Sequence, residues 1–206
     1  KSLGAELTSI KDASGTEYLW QGNPEFWSGQ APVLFPIVGC LRNGTATIGD
    51  NKTCSFGRHG LARRLEFDLV SSSDTSITYS LKANDKTKEQ YPYDFELQMT
   101  YELTEHGVKV SHTVINHDSV VMPYCVGGHP AFNCPVFENE SFEDYIVEFE
   151  QPENAACAQL TEDGLINNAD RVSVLENEAV IPVRHSLFYK DALVFDALKS
   201  RKVALK

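Results

Sequence analysis

The sequence predicts an all-β protein, an antiparallel β-sandwich with very little helix. Three observations lead there. Apolar and polar residues alternate with a period of two in many short runs, as in strands with one buried face. Gly, Asn and Asp fall between those runs, where hairpins turn. No window of a dozen residues carries an i, i+3, i+4, i+7 apolar stripe free of Gly or Pro, so no long amphipathic helix is expected. At 206 residues a sandwich fits better than a small barrel.

In chain order, strands are expected at 5–10 and 17–20. Pro24-Glu25-Phe26-Trp27 follows Asn23, a good cap, and should form one turn. Asn43-Gly44 is a strong turn signal, 45–48 a short strand, and Gly49-Asp50-Asn51-Lys52 a second turn. Strands at 65–70 and 76–81 follow. Residues 82–90 form the most polar stretch and read as a solvated hairpin loop. The clearest alternation is Phe95-Glu96-Leu97-Gln98-Met99-Thr100-Tyr101-Glu102-Leu103; Thr104-Glu105-His106-Gly107 turns the chain and 108–114 returns it. Glu96 and Glu102 lie on the polar face of this hairpin and read as solvated charges. His112 shares the phase of Val108, Val110 and Val114 and should pack on the sheet, whereas His106 and His117 read as exposed. Shorter runs at 145–149, 180–183, 193–195 and 202–205 complete the pattern. Without repeats or linkers, residues 1–206 read as a single domain. Both of its ends look cut: Lys1 leads straight into a strand-like pattern and Lys206 closes an apolar run, where natural ends are polar and frayed.

Charge and cysteine usage narrow the function. Eighteen basic and 29 acidic side chains give a formal charge of −11. That balance argues against nucleic acid and against an anionic membrane surface. No apolar run approaches the ~20 residues of a membrane span, and no basic start leads into a signal core. The five cysteines are odd in number and contain no Cys-x-x-Cys, which suits reduced thiols in a cytoplasmic protein.

Two segments break the alternation. In Gly57-Arg58-His59-Gly60-Leu61-Ala62-Arg63, a histidine sits in a glycine-flanked loop, the natural carrier of chemistry on a β scaffold. His59 reads either as a hydrogen-bonded loop histidine or as a proton-transfer group. Arg58 and Arg63 read as surface charges or as groups that steer a polyhydroxyl or anionic ligand. In Val126-Gly127-Gly128-His129-Pro130-Ala131-Phe132-Asn133, two glycines and a proline hold His129 in one backbone setting. His129 is then a general acid or base, or the satisfied histidine of a structural turn. Tyr124 and Phe132 beside it either stack on a sugar or fill the core. Cys125, His129 and Cys134 lack a fourth ligand and match no common zinc spacing, so no metal site is expected.

Together these segments resemble the aldose 1-epimerase (galactose mutarotase-like) family, in its shorter, LacX-like bacterial branch. The resemblance is carried, in the family's order, by Gly4-Ala5-Glu6-Leu7, Leu19-Trp20 with Trp27, and Leu34-Phe35-Pro36-Ile37-Val38-Gly39. Arg58-His59-Gly60-Leu61-Ala62-Arg63, Tyr91-Pro92 with Phe95, Gly128-His129-Pro130-Ala131-Phe132-Asn133 and Lys190-Asp191-Ala192-Leu193-Val194-Phe195 continue it. It implies a β-sandwich of the supersandwich type and an isomerase that interconverts the α and β anomers of a free galactose- or glucose-type sugar without a cofactor. By motif match, His129 protonates the ring oxygen and His59 hydrogen-bonds the sugar nearby. Arg42, Arg58, Arg63, Asp191 and Asn133 become the sugar-binding candidates. The family's base is a glutamate in an Ile-Glu-Pro-Trp-like context that follows a Phe-Pro-Tyr-Leu-Gly-Ile-Trp-like stretch. No glutamate in residues 1–206 has that context, and the last strands of the sandwich are likewise expected to be missing. Two other readings stay open: a non-catalytic carbohydrate-binding module, and a hexose-phosphate epimerase whose Arg58 and Arg63 clamp phosphate. An unpaired sheet edge also leaves a homodimer open.

Overall fold

Most of the alternating runs are strands in the computed structural model, which describes residues 1–49 and 51–206. Two units are distinguished, Lys1–Phe132 and Asn133–Lys206. The first contains β1 (Val33–Leu34), β2 (Thr45–Ile48), β3 (Lys52–Ser55), β4 (Asp68–Ser72), β5 (Ser76–Lys82), helix α1 (Asp85–Gln90), β6 (Phe95–Thr104), β7 (Gly107–Asn116) and β8 (Gly127–Gly128). The second contains β9 (Ile146–Leu160), β10 (Ile166–Pro182) and β11 (Val203–Leu205).

The main sheet of the first unit is four-stranded and antiparallel, in the order β4-β5-β6-β7. The hairpin read from the alternation is there, with Phe95 opposite Asn116 and Thr104 opposite Gly107. Phe95, Leu97 and Met99 point to one face and are fully buried. They form the core with Phe35, Tyr91, Tyr93 and Leu81. Phe35 is its aromatic centre, 5.1 Å from Phe95 and 5.9 Å from Tyr91 between ring centroids. The β2–β3 hairpin pairs Ile48 with Lys52; the expected turn between them includes Asp50, which lies outside the described residues.

Several expectations are corrected. Residues 5–10 are not a strand: Gly4 and Ala5 both take positive φ, and apart from the Ile10 carbonyl, which accepts from the Tyr18 N–H, the following backbone bonds mainly to side chains. The Ile10 N–H donates to Glu17 Oε1, and the Thr8 carbonyl accepts from the Gln21 and Gln30 amides. Residues 17–20 and 193–195 make only isolated bridges, such as Leu19 with Phe132 and Val194 with Ala158. The expected strand at 65–70 begins only at Asp68. Residues 82–90 do connect two antiparallel strands, but they hold α1, started by a capping box between Asn84 and Thr87. The Asn23 turn does form, with the Trp27 N–H bonded to the Asn23 carbonyl.

Glu96 is not a solvated charge. It is 8% exposed, accepts from Ser80 Oγ at 2.8 Å and Gln98 Nε2 at 2.7 Å, and meets His117 Nε2 at 3.3 Å. These bonds hold its carboxyl below the usual range. His117 is therefore paired as well as partly exposed. His112 lies on the sheet opposite Met99.

In the second unit the strands expected at 145–149 and 180–183 are parts of one long antiparallel pair, β9 and β10, with four shifts in register. β11 lies on the other side of β9. Phe149, Leu175 and Ile181 form its core, and the Phe149 and Phe195 rings meet at 5.7 Å.

Candidate active site

Both loop histidines are hung from one segment, Pro32 to Gly39, which is buried as far as Pro36. Val33, Leu34, Phe35 and Pro36 are buried, so this stretch is fixed by the core and makes a rigid frame. β1 lies within it. On one side β8 pairs with β1, Gly127 opposite Leu34 and Gly128 opposite Val33. The His129 N–H then donates to the Pro32 carbonyl at 3.1 Å. On the other side the Phe35 carbonyl accepts from the Leu61 and Ala62 N–H groups, and Gly60 bridges to Phe35. Gly60 has φ +76°, and a Cβ there would be driven into the Phe35 carbonyl. Glycine is therefore required for the loop to approach the frame.

His59 sits in the left-handed region at φ +69°, unfavourable for a side chain larger than glycine. Two bonds to Gly39 offset that cost. The His59 N–H donates to the Gly39 carbonyl at 2.8 Å, and the Gly39 N–H donates to His59 Nδ1 at 3.0 Å. An Nδ1 that accepts carries no proton, so neutral His59 is the Nε2–H tautomer. Burial pushes its pKa down, and His129, Arg63 and Arg58 push the same way. His59 is a neutral hydrogen-bond donor at pH 7.

His129 is arranged differently. It is exposed, whereas His59 is half-buried. Among the described residues, neither of its ring nitrogens has a hydrogen-bond partner. Its ring stands 5.5 Å from the His59 ring at 70°, and 5.1 Å from the Trp27 indole at 39°. Such a group can give up or take a proton at a bound molecule.

The remaining candidates are distributed unevenly. Arg58 is exposed and Arg63 half-buried, both on the His59 loop, and their charges reach His59. Arg42 is exposed at the start of the 3-10 turn Arg42–Gly44. Asn133 and Asp191 belong to the second unit. There Asp191 has φ +75° and its Oδ1 accepts from the Ala192 N–H. It lines a hollow of about 480 Å³ with Gln159, Ser173, Tyr189 and Lys190. Among the described residues no group of three or more His, Cys, Asp or Glu is placed to hold a metal ion. No described helix is long and apolar enough to cross a membrane. Sequence reasoning missed two site residues, Gly39 and Trp27. Both stood inside the segments already singled out, yet their roles come from contacts between distant parts of the chain.

Comparison with known proteins places this geometry in a context. The model of the aldose 1-epimerase family matches residues 1–203. The plasmid-borne and chromosomal LacX proteins of Lactococcus lactis subsp. lactis are each 43% identical over 212 residues, covering 100% of this chain and 71% of theirs. Among solved structures, a galactose mutarotase related enzyme from Lactobacillus acidophilus superposes with a TM-score of 0.92 at 33% identity, covering 100% of this chain and 68% of its own. A galactose mutarotase-like protein from Lactobacillus casei gives 0.90 at 32%, covering 100% and 70%.

Proposed function

The chain belongs to the aldose 1-epimerase family, and on that premise we propose that it opens and recloses the ring of a free aldose of galactose or glucose type, exchanging its α and β anomers. The observation that carries this reading is the contrast between the two imidazoles: one locked as a donor, the other open at both nitrogens, with their rings 5.5 Å apart.

Ring opening moves two protons. One leaves the C1 hydroxyl as its oxygen forms the aldehyde carbonyl. The other arrives at the ring oxygen as the C1–O5 bond breaks and its electron pair passes to O5. In this reading His129 delivers the second proton, and His59 donates its Nε2–H to the sugar close by. Rotation about C1–C2 and the reverse steps give the other anomer. The base at the C1 hydroxyl is the glutamate of the family pattern, whose sequence context is not found in residues 1–206. No step calls for a metal or cofactor. Arg58 and Arg63 bring positive charge to the His59 side, while Arg42, Asn133 and Asp191 enter as sugar ligands by motif match. The five unpaired cysteines fit a reducing compartment, and we place the reaction in the cytoplasm.

The test is anomer exchange of purified α-galactose and α-glucose by protein that includes the family's glutamate segment, followed by polarimetry or NMR. In His129→Ala the acceleration should fall by at least ~10²-fold, the usual contribution of a general acid. Full activity in that variant rules out the assignment. Saturable sugar binding with no acceleration, by protein that includes the family's glutamate segment, would favour a binding module. The two arginines motivate one further arm: glucose 6-phosphate binding tighter than glucose, with a loss at high salt, would favour a phosphosugar substrate.

A further inference from the structure

His129 acts in the proposed chemistry, yet no hydrogen bond among the described residues orients its ring. Its backbone is pinned by the bond to Pro32, and its ring meets two ring neighbours, Trp27 and His59. Of these two, Trp27 is the broader wall.

Two bonds fix the Trp27 backbone, and a glycine makes room for its indole. The Trp27 N–H is bonded to the Asn23 carbonyl at 2.8 Å, closing the turn that Asn23 starts. The Trp27 carbonyl accepts from Trp20 Nε1 at 2.7 Å. Below the ring lies Gly29, whose missing side chain makes room: a Cβ there would stand 2.5 Å from Trp27 Cζ2 and 2.8 Å from Cε2. The braced segment is also laced to the His129 strand. The Ala131 N–H donates to the Gln30 carbonyl at 2.8 Å, and the Trp20 N–H donates to the Ala131 carbonyl at 2.9 Å. Backbone hydrogen bonds thus tie together the segments that carry the indole and the imidazole.

We propose that Trp27 is a positioning residue for His129, its indole face holding the imidazole in the orientation from which it meets the substrate, with Gly29 as the seat that lets the indole lie there. This inference rests on the reading of His129 as the proton donor. A misplaced donor loses rate even when its chemistry is intact, since about 1 Å of misplacement can cost ~10²-fold. A wall that orients the donor without gripping the sugar should act on kcat and leave KM nearly unchanged.

The experiment uses the full chain with isotope-labelled histidine, and the His129 ring signals are assigned by their loss in His129→Gln. Next to the tilted indole, these ring protons carry a ring-current displacement, which in a folded variant reports where the indole lies against the imidazole. In Trp27→Leu the displacement should vanish, and in Trp27→Phe much of it should persist. In Gly29→Ala, which keeps the indole but pushes it off its seat, the His129 signals should shift while His59, tied to Gly39, holds its own. For anomer exchange, Trp27→Leu should lower kcat by about 10-fold or more, Trp27→Phe should recover most of that loss, and KM should stay within about twofold. Folding of each variant is checked by circular dichroism, and Gly29→Ala supplies the result if Trp27→Leu does not fold. Unmoved His129 signals in folded Trp27→Leu or Gly29→Ala overturn the proposal, as does a loss confined to KM. If His129→Gln retains full exchange activity, it is the proton-donor reading that fails, a result separate from the ring-current data.

Discussion

The two histidine loops hang from the same segment but are held by opposite means. The His59 loop is locked through its backbone: a left-handed histidine, a glycine pressed against Phe35, and two bonds to Gly39. The His129 loop is pinned at one N–H and otherwise steered by ring contacts alone. Hydrogen bonds define a tautomer, and with it a single role. Ring packing defines a position and leaves the protonation state open. The ring opening proposed above uses one constant donor and one group that changes its proton, and this difference suits that proposal.

The comparison can be broken most forcefully at its glycines. Gly60→Ala combines a left-handed φ with a collision against the Phe35 backbone. It should destabilise the chain by about 2–5 kcal/mol, the sum of the conformational cost and an overpacking cost, read from urea unfolding. On the His129 side the same change is milder. A Cβ on Gly127 would stand 3.3 Å from Val38 Cγ2, the tip of a side chain 52% exposed. Gly127→Ala should therefore cost about 1 kcal/mol or less, and Gly128→Ala, with only Pro130 Cδ at 3.8 Å, should stay within about 0.5 kcal/mol. Equal costs at Gly60 and Gly127 would erase the contrast.

A smaller effect follows from protons. The folded chain lowers the His59 pKa below the ordinary 6.5, so it favours the neutral ring. The stabilisation is present above about pH 6.5 and is lost as pH falls below it toward the folded value, because the unfolded chain takes up the proton first. Once protonated, Nδ1 can no longer accept from Gly39. His112, pushed down by burial, contributes in the same direction. The unfolding midpoint should thus drop on acidification from about pH 8 to about pH 5, and His59→Gln should make that drop shallower. Identical slopes in the two proteins would show that His59 is not held neutral.

How much of this was legible beforehand depends on the range of the interaction. The β5, β6 and β7 strands could be read because alternation is local and one face of each meets the core. Helix α1 escaped because six residues are too few for an apolar stripe; its trace is the Asn84 cap with Thr87 three residues on. Glu96 looked solvated because alternation identifies a polar face without telling which neighbours cover it. Ser80 and His117 come from other parts of the chain. In the site, glycine-flanked histidines marked both loops. That Gly39 would choose the tautomer of His59, or that Trp27 would lie against His129, depends on contacts that only the folded chain creates.

The most direct test of this account is the nitrogen spectrum of the histidine rings, recorded on labelled protein at about pH 8, above the ordinary histidine range. The expected result is a single Nε2–H tautomer for His59, with Nδ1 bare and bonded to Gly39, beside a His129 whose nitrogen signals show no such bonded partner. A protonated Nδ1 on His59, or two rings that behave alike, would contradict the division into a locked donor and an open acid.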